Sequence, residues 1–367
     1  MERFLAYGRQ SISESDIQAV VEVLRSDFLT QGPAIDRFEE AFAKAVGAPF
    51  AVACANGTAA LHLCTLAAGV KPGDRALVTP ISFVASANCV RYVGGSVDFA
   101  DVDAETVTLS PGKARTALEA AKREGKPFRV LVTVDLAGHP CEMEAFAGLK
   151  QEYQLVWIHD ACHSLGASWK DGKGQSYRIG EYPEVDLVAC SFHPVKHITT
   201  GEGGMVTTHR NDLAERLRTA RTHGITKKPQ DFFLKEEAYD KDGTVNPWYY
   251  EMQSLGLNYR LTDFQAALGL SQLARLPEFL RRRRELAVQY RRELAGLDGI
   301  RCLPVRQGVE HAYHLFVVRA EFSRKGISRA RVMQELRARQ IGTQVHYIPI
   351  PMMPFYGRNS EMSHWPE

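Results

Sequence analysis

Short apolar runs recur along the first half of the chain, between Pro49 and Thr208. They read "FAVACA", "RALVTP", "GSVDFADV", "FRVLVTVDLA", "QLVWIHDA", "VDLVACSF" and "GGMVTTH". Helical patterns such as "TAALHLCTLAAG" and "FVASANCVRYVGG" separate most of these runs. Strands that alternate with helices indicate crossover units and a largely parallel sheet. Near-continuous apolar strands suit a sheet that is covered on both faces, so the pattern predicts an α/β fold.

The second half of the chain follows a different pattern. A polar stretch over residues 222–256 predicts a long loop or excursion, and a long helical region begins near Thr262. That region contains "RRRRELAVQYRRELAGL", whose four-arginine run is typical of a solvated face. The segments "HLFVVRA", "SRARVMQELRARQ" and "TQVHYIPI" predict strand, helix and strand. We therefore expect a large domain with an N-terminal arm over residues 1–255 and a smaller C-terminal α+β domain over residues 256–367.

Composition narrows the class of protein. Of the 367 residues, 45% are hydrophobic, and 45 basic against 43 acidic side chains leave a formal net charge of +2. This balance does not indicate a nucleic-acid or membrane partner, and no apolar run approaches the ~20 residues of a membrane span. The N-terminus lacks the apolar core of a secretory signal, and the seven cysteines form no CxxC pair. We expect a globular cytoplasmic protein with reduced thiols.

Polar residues that follow the predicted strands are the candidates for chemistry, because ligands of open α/β sheets bind at the carboxyl ends of the strands. Asn56, Gly57 and Thr58 follow the first run and lead directly into a helix. Free N–H groups at a helix N-terminus make an anion site. The alternative is an ordinary cap in which Asn56 or Thr58 closes the helix.

Asp160 follows "QLVWI" and could pair with a buried cation that keeps it ionised. The alternative is a carboxylate that stabilises a turn or a helix cap. The neighbouring His159, Cys162 and His163 raise the hypothesis of a metal site. Zinc requires about four ligands, and no matching second cluster appears in the sequence, so we predict no metal.

Lys196 lies in "SFHPVKHITTGEGG", ahead of a glycine-rich turn. The phosphate-binding Walker pattern has its glycines before the lysine and a Ser or Thr after it, so a nucleotide-phosphate loop fits poorly. A lysine in such a turn can serve as an amine nucleophile that forms a Schiff base, or it can be a surface lysine. Ser191 is close enough in sequence to share a phosphate site with it. Phe83 is either a core residue or an aromatic that stacks on a flat ring.

One ligand explains all of these candidates. A phosphate site, a carboxylate for a ring cation, an aromatic plate and an amine nucleophile are the requirements of pyridoxal 5′-phosphate. The order Thr58, Phe83, Asp160, Ser191, Lys196 is compatible with successive loops at one sheet edge. The sequence therefore predicts a pyridoxal phosphate enzyme.

Segments spread over nearly the whole chain resemble the sugar aminotransferases of the fold-type I pyridoxal phosphate enzymes, the DegT/DnrJ/EryC1/StrS family. They are "LTQGPAIDRFEEAFA", "NGTAALHL", "ISFVASANCV", "HDACHSLGA", "SFHPVKHITTGEGGMV" and "LGLNYRLTDFQAALGLSQL". The Lys196 segment and "RTHGITKKP" are most similar to the branch that aminates UDP-4-keto-6-deoxy-N-acetyl sugars on the pseudaminic acid pathway. The resemblance implies a mainly parallel central sheet flanked by helices, and amino transfer from L-glutamate to C4 of the keto sugar.

The resemblance also implies roles for individual residues. Lys196 would hold the cofactor, Asp160 would pair with its pyridine nitrogen, and His163 would lie near its ring hydroxyl. Phe83 would stack on the ring, and the phosphate would be held by Gly57, Thr58, Ala59, Ser191 and, from the neighbouring subunit, Asn258. The nucleotide sugar would lie near Tyr7, Asp27, Phe28, Leu29, Thr30, Gly57, Asn258, His346, Tyr347, Ile348 and Pro349. A residue donated by the neighbouring subunit implies a homodimer with shared sites.

Three alternatives and one departure accompany this resemblance. A sister aminotransferase could act on a different nucleotide keto sugar. A pyridoxamine-dependent sugar dehydratase shares the fold but carries a histidine at the position of Lys196. A sensor that binds the cofactor without turnover would not need the intact Lys196 and Asp160. The departure is His197, which stands where the branch has proline, so the backbone there is less restrained.

Overall fold

The computed structural model describes residues 4–322 and 324–357. Its strands are β1 (Phe50–Cys54), β2 (Arg75–Val78), β3 (Ser96–Phe99), β4 (Val130–Val134), β5 (Val156–Asp160), β6 (Ser168–Lys170), β7 (Ser176–Arg178), β8 (Leu187–Ser191), β9 (Gly204–Thr208), β10 (Ile225–Thr226), β11 (Glu251–Met252), β12 (Ile300–Cys302), β13 (Val309–Glu310) and β14 (Val318–Ala320). Its α-helices are α1 (Glu14–Leu24), α2 (Pro33–Val46), α3 (Gly57–Ala67), α4 (Ala85–Tyr92), α5 (Pro111–Arg123), α6 (Met143–Tyr153), α7 (Asn211–Arg221), α8 (Lys235–Ala238), α9 (Asp263–Leu294), α10 (Arg329–Ala338) and α11 (Pro354–Gly357). None of these helices is long and apolar enough to cross a bilayer.

The seven apolar runs of the sequence form one sheet, in the order β1-β9-β8-β5-β4-β2-β3. Every neighbouring pair is parallel except the two that involve β9, which runs antiparallel to β1 and β8. Both faces are covered, since Trp157 packs in one core cluster and its neighbour Ile158 in the other. The predicted α/β fold with a largely parallel sheet is confirmed.

The long helix α9 begins where the sequence predicts. Thr262 forms a capping box with Gln265 at its N-terminus. The next residue, Asp263, is buried and accepts hydrogen bonds from the backbone N–H groups of Gly32 (2.8 Å) and Ala34 (3.0 Å). One carboxylate thus caps α2 from another helix, and this contact fixes the segment that precedes α2.

The C-terminal part agrees with the sequence in two of its three elements. β14 and α10 confirm the predicted strand and helix, but the strand predicted in "TQVHYIPI" is wrong, because residues 342–349 form none. Individual hydrogen bonds, rather than a β-sheet ladder, hold this stretch in place. The N–H of Gly342 donates to the Leu5 carbonyl and that of Ile350 to the Pro80 carbonyl, both at 2.8 Å. The division at residue 256 stays a prediction, and residues 358–367 of the second unit lie outside the described ranges.

The four-arginine run is only half solvated. Arg281 and Arg282 are exposed, but the Arg283 guanidinium donates to the carbonyls of Tyr313 (3.0 Å) and His314 (3.1 Å). Arg284 donates to the carbonyls of His311 and Gly166. The run therefore holds residues 311–314 against α9, a use that helical periodicity does not reveal.

A buried ion pair joins the ends of β4 and β5. Asp135 is fully buried and accepts a hydrogen bond from His159 Nε2 at 2.9 Å, while its other oxygen accepts the N–H of Cys141 at 2.8 Å. Burial alone would raise the pKa of Asp135, but the His159 charge and the hydrogen bonds outweigh it and hold that pKa below its usual value. Burial would lower the pKa of His159, but Asp135 raises it well above its usual value. Both groups are thus held in their charged forms.

Replacing Asp135 with asparagine is expected to lower the free energy of unfolding by ~3–5 kcal/mol, because it leaves a buried imidazolium without its carboxylate. Thermal and urea unfolding of the apo-protein measure the loss. The double variant Asp135→Asn/His159→Gln should lose less than the sum of the two single changes, since the pair is then removed together. Additive losses would mean that the two side chains contribute independently.

Candidate active site

A cavity of about 660 Å³ opens at the carboxyl ends of β1, β5 and β8. Residues of the N-terminal segment, of the loop before α4 and of the stretch 344–348 close around it. The sequence-predicted residues that line it are Tyr7, Gly57, Thr58, Phe83, Asp160, His163, Ser191, Lys196, His346, Tyr347 and Ile348. The fold therefore brings most of the candidates to one place, at the sheet edge where ligands of such folds bind.

The N-terminus of α3 forms one end of the pocket. Asn56 caps the helix by accepting the N–H of Ala59 at 2.8 Å, so the capping interpretation is correct for Asn56, and the amide of Ala59 is already used. Gly57 and Thr58 still face the pocket. A Cβ at Gly57 would lie 2.8 Å from the Cβ of Ser191, so glycine is what allows Ser191 to approach the helix. The result is a narrow polar cradle that suits a phosphate.

Asp160 presents a carboxylate of fixed orientation. It is 5% exposed, its Oδ2 accepts the Ser86 hydroxyl at 2.6 Å, and its Oδ1 accepts the N–H of Cys162 at 3.1 Å. Asp160 thus stabilises a turn and also presents its carboxylate to the pocket. The sequence analysis did not identify Ser86. This residue lies three positions after Phe83, and a spacing close to one helical turn could have indicated that the two side chains are neighbours.

Lys196 is partly buried in the pocket, so the surface-lysine alternative is wrong. Burial lowers the pKa of its amine, and Cys162 and Asp160 only partly oppose this shift. Within residues 4–322 and 324–357, no carboxylate lies within salt-bridge distance of its Nζ. A buried amine with a lowered pKa and no ionic partner suits a nucleophile or a base.

Rings of four residues line the remaining wall. Phe83 is 56% exposed, so it is not a core residue and its ring is free to stack on a ligand. Tyr347 lies 6.3 Å from it between ring centroids. The ring of His163 stacks against Tyr347 at 6.1 Å and lies tilted against His314 at 4.4 Å. The sequence did not single out His314 and gives no signal for it.

His159, Cys162 and His163 do not converge on a metal. His159 bonds to Asp135, whereas His163 turns towards Tyr347, whose hydroxyl lies 3.2 Å from its Nε2. The Cys162 thiol faces the carbonyl of Ala189 at 3.8 Å. The three side chains that the metal hypothesis grouped together thus have different partners.

Some predicted residues do not line this pocket in their own chain. Ala59 and Pro349 lie outside its lining, and Asp27 and Phe28 line a separate groove between α1, α2 and α9. Thr30 forms a bridge with Thr262, and Leu29, next to it, is exposed. Asn258 forms a bridge with Thr222 and does not cap α9, which Thr262 does. Their predicted roles in binding stay predictions.

The side chains around the cavity fit pyridoxal 5′-phosphate. The cradle at Gly57 is shaped for the phosphate, Asp160 offers an anion for a ring nitrogen, and Lys196 offers an amine for the aldehyde carbon. These are the groups that the cofactor requires, and they surround one cavity.

Comparisons with known proteins place this geometry among aminotransferases. The family model described as the DegT/DnrJ/EryC1/StrS aminotransferase family matches residues 10–365. The spore coat polysaccharide biosynthesis protein SpsC of Bacillus subtilis is 34% identical over 96% of this chain and 85% of its own. Helicobacter pylori PseC, an aminotransferase involved in the biosynthesis of pseudaminic acid, superimposes with a TM-score of 0.84 at 28% identity, over 97% of this chain and 88% of PseC. The putative sugar aminotransferase Spr1654 of Streptococcus pneumoniae, solved in its PLP form, gives 0.82 at 26% identity over 97% and 88%.

Proposed function

The chain belongs to the DegT/DnrJ/EryC1/StrS aminotransferase family, and from that premise we propose that it moves an amino group from L-glutamate to C4 of a UDP-4-keto-6-deoxy-N-acetylhexosamine. The chain is a pyridoxal phosphate-dependent sugar aminotransferase. The proposed activity is that of a UDP-4-amino-4,6-dideoxy-N-acetyl-β-L-altrosamine transaminase. Its support is the likeness to PseC and the similarity of the Lys196 segment to that branch.

The observation that best supports this reaction is that Lys196, Asp160 and the start of α3 line one cavity. Bound pyridoxal phosphate withdraws electrons from the reacting substrate carbon through its protonated ring. Asp160, held by Ser86 and Cys162, keeps the ring nitrogen protonated. Lys196 takes the proton from the α-carbon of glutamate in the first half-reaction and delivers one to C4 of the sugar in the second. Because its pKa is lowered by burial, a neutral amine is available for this work.

A panel of UDP- and dTDP-linked 4-keto sugars tests the substrate assignment. Each sugar is incubated with the enzyme and L-glutamate, and the products are identified by mass spectrometry. We expect amination of the UDP-4-keto-6-deoxy-N-acetyl sugar to have the highest kcat/KM. A preference for a dTDP sugar, or for one without the N-acetyl group, would make the chain a sister aminotransferase. A yellow protein that does not bleach with glutamate would instead favour the sensor.

We also propose a homodimer with shared active sites. Asn258 and residues 27–30 do not line the pocket of their own chain, which leaves them available to a second copy. The excursion 222–256 carries strongly exposed apolar side chains, among them Phe233 (79%), Trp248 (72%) and Leu255 (84%). Exposed apolar surface of this kind marks a protein interface. Two-fold symmetry would then form both sites at once, because an isologous contact repeats.

Mixing two inactive variants is expected to restore activity. Asn258→Asp should repel the cofactor phosphate of the other subunit, and Lys196→Ala removes the amine. After random exchange, about half of the dimers are mixed, and each mixed dimer has one site with neither change. Activity should therefore recover to roughly a quarter of that of the unsubstituted enzyme. The assay is turnover of the mixture after subunit exchange has been verified by mass.

The outcome separates two arrangements. If exchange is complete and the mixture stays inactive, Asn258 and Lys196 serve the same chain's site. Mixing Lys196→Ala with Asp160→Asn is the matched control, because both residues line one pocket. That mixture should show no recovery, since in a mixed dimer each site carries one of the two changes.

A further inference from the structure

The position of the Lys196 amine depends on its backbone. Among residues 4–322 and 324–357 the amine has no hydrogen-bond partner that could hold it. The Lys196 N–H closes a tight turn by donating to the carbonyl of His193 at 2.8 Å. This turn lies in the loop between β8 and β9, where the N–H of Thr200 donates to the carbonyl of Phe192 at 3.0 Å. The amine is therefore placed by whatever fixes this loop against the rest of the protein.

One hydrogen bond ties the turn to the C-terminal part of the chain. His197 is 4% exposed, and its Nε2 lies 3.1 Å from the carbonyl oxygen of Ala312. A carbonyl oxygen only accepts, so the hydrogen of the imidazole is on Nε2 and His197 donates. In the described part of the chain, the other hydrogen bonds of residues 193–198 all stay within residues 191–198. The contact with Ala312 is thus the long-range restraint on this turn.

The His197 ring supplies this one contact and no charge. Burial lowers the pKa of His197 to about 3, and the charges of Arg283 and Lys196 add to the shift, so the imidazole is neutral. A neutral imidazole has one N–H. Within the described ranges the other nitrogen, Nδ1, has no hydrogen-bond partner. Loss of the N–H at Nε2 would therefore release the turn from Ala312 without removing a charge.

The acceptor of this hydrogen bond is itself held firmly. Ala312 is fully buried, and its N–H donates to the carbonyl of Gly138 at 3.0 Å. On either side of it, Arg283 and Arg284 of α9 donate to the carbonyls of residues 311, 313 and 314. The sequence predicts a less restrained backbone at His197, because the similar branch has proline there. In the structure, the His197 side chain supplies a restraint of a different kind.

We propose that His197 is a positioning residue for Lys196, and that its hydrogen bond to Ala312 holds the turn from which the amine reaches the cofactor. The inference rests on the proposed function, since it assumes pyridoxal phosphate in the cavity. His197 does not line that cavity, so it acts through Lys196 and not by contact with a ligand. The effect is expected to be large, because a misplacement of about 1 Å at a reacting group can cost about 100-fold in rate.

The test compares two ligands of the apo-protein. The Lys196 amine condenses with the aldehyde of pyridoxal 5′-phosphate with loss of water, and the rise in visible absorbance after mixing gives the rate of this step. Pyridoxamine 5′-phosphate has no aldehyde, so its Kd, measured by calorimetry, reports the cavity alone. His197→Phe keeps an aromatic ring and removes the N–H. It should slow the condensation about tenfold, the equivalent of one hydrogen bond, and leave the Kd of pyridoxamine 5′-phosphate unchanged.

Two amide substitutions test whether the hydrogen bond is responsible. The amide nitrogen of His197→Gln can reach the position of Nε2, so this variant should restore the rate of condensation. His197→Asn is shorter and reaches only the position of Nδ1, so it should be as slow as His197→Phe. Equal rates for the glutamine and asparagine variants would overturn the inference, and this comparison remains decisive if His197→Phe does not fold.

His209→Phe is the matched control. His209 Nε2 also donates to a backbone carbonyl, that of Gly180 at 2.9 Å, and the residue does not line the cavity. Its replacement should leave the rate of condensation unchanged. Amide hydrogen exchange of the apo-proteins adds a measurement without cofactor. The amides of residues 193–198 should exchange faster in His197→Phe and His197→Asn than in His197→Gln.

The possible results are distinguishable. If His197→Phe condenses at the rate of the unsubstituted protein, the inference is wrong. If the rate and the affinity for pyridoxamine 5′-phosphate fall together, His197 supports the cavity as a whole and does not position Lys196, so the inference is again wrong. If the unsubstituted protein gives no visible absorbance with pyridoxal 5′-phosphate, the proposed function itself fails. Thermal unfolding of each apo-variant verifies that it is folded.

Discussion

Replacing Lys196 with alanine is expected to lower turnover by at least about 100-fold, the contribution of a positioned acid–base group, while pyridoxamine 5′-phosphate still binds. Among the described residues, Lys196 is the only lysine that lines the pocket. The cradle at Gly57 and the hydrogen bonds that orient Asp160 do not involve its side chain. The variant should therefore lose the proton transfers but keep the binding site.

Two measurements check this expectation. Steady-state turnover with L-glutamate and the keto sugar gives the loss of activity, and calorimetry with pyridoxamine 5′-phosphate gives the retained affinity. Lys113→Ala is the matched control, because this lysine is exposed at the start of α5 and does not line the pocket. Turnover by Lys196→Ala within a few-fold of the unsubstituted enzyme would refute the role of the lysine.

The sheet and the position of the site could be predicted from the sequence for one physical reason. Each buried strand is a short apolar run, and the parallel arrangement delivers the residues after β1, β5 and β8 to one edge. Gly57 and Asp160 were therefore located by the ends of strands, and Lys196 by the glycine-rich turn that follows it. The signal is strong because strands that are buried on both faces form near-continuous apolar runs.

The hydrogen-bond partners within the site could not be predicted in the same way. Ser86 reaches Asp160 from α4, and Tyr347 reaches His163 across 184 positions of the sequence. Such contacts depend on how separate elements pack, which no local pattern encodes. Local rules also gave two wrong predictions. The strand predicted in "TQVHYIPI" does not form. Arg283, which was predicted to lie on a solvated face, donates hydrogen bonds to the carbonyls of residues 313 and 314.

Replacing Asp160 with asparagine is expected to slow the chemistry far more than it affects folding. The amide can still accept from Ser86 or Cys162, but it cannot stabilise a ring cation. Removing the partner of a buried charge costs ~3–5 kcal/mol, which corresponds to about 10²- to 10⁴-fold in rate. In the apo-protein the substitution removes a buried carboxylate that has hydrogen bonds but no ion pair within the described part of the chain. The melting temperature of the apo-protein should therefore change little.

The measurement is single-turnover conversion of the pyridoxal to the pyridoxamine form with L-glutamate, followed by absorbance, beside thermal unfolding of the apo-protein. Ser86→Ala separates charge from orientation, since it keeps the carboxylate and removes the 2.6 Å hydrogen bond that holds Oδ2. We expect it to lose about tenfold, the equivalent of one hydrogen bond to a charged group. Equal rates for Asp160→Asn and the unsubstituted enzyme would refute the role of the charge. Equal losses for Ser86→Ala and Asp160→Asn would mean that orientation, and not charge, is what Asp160 supplies.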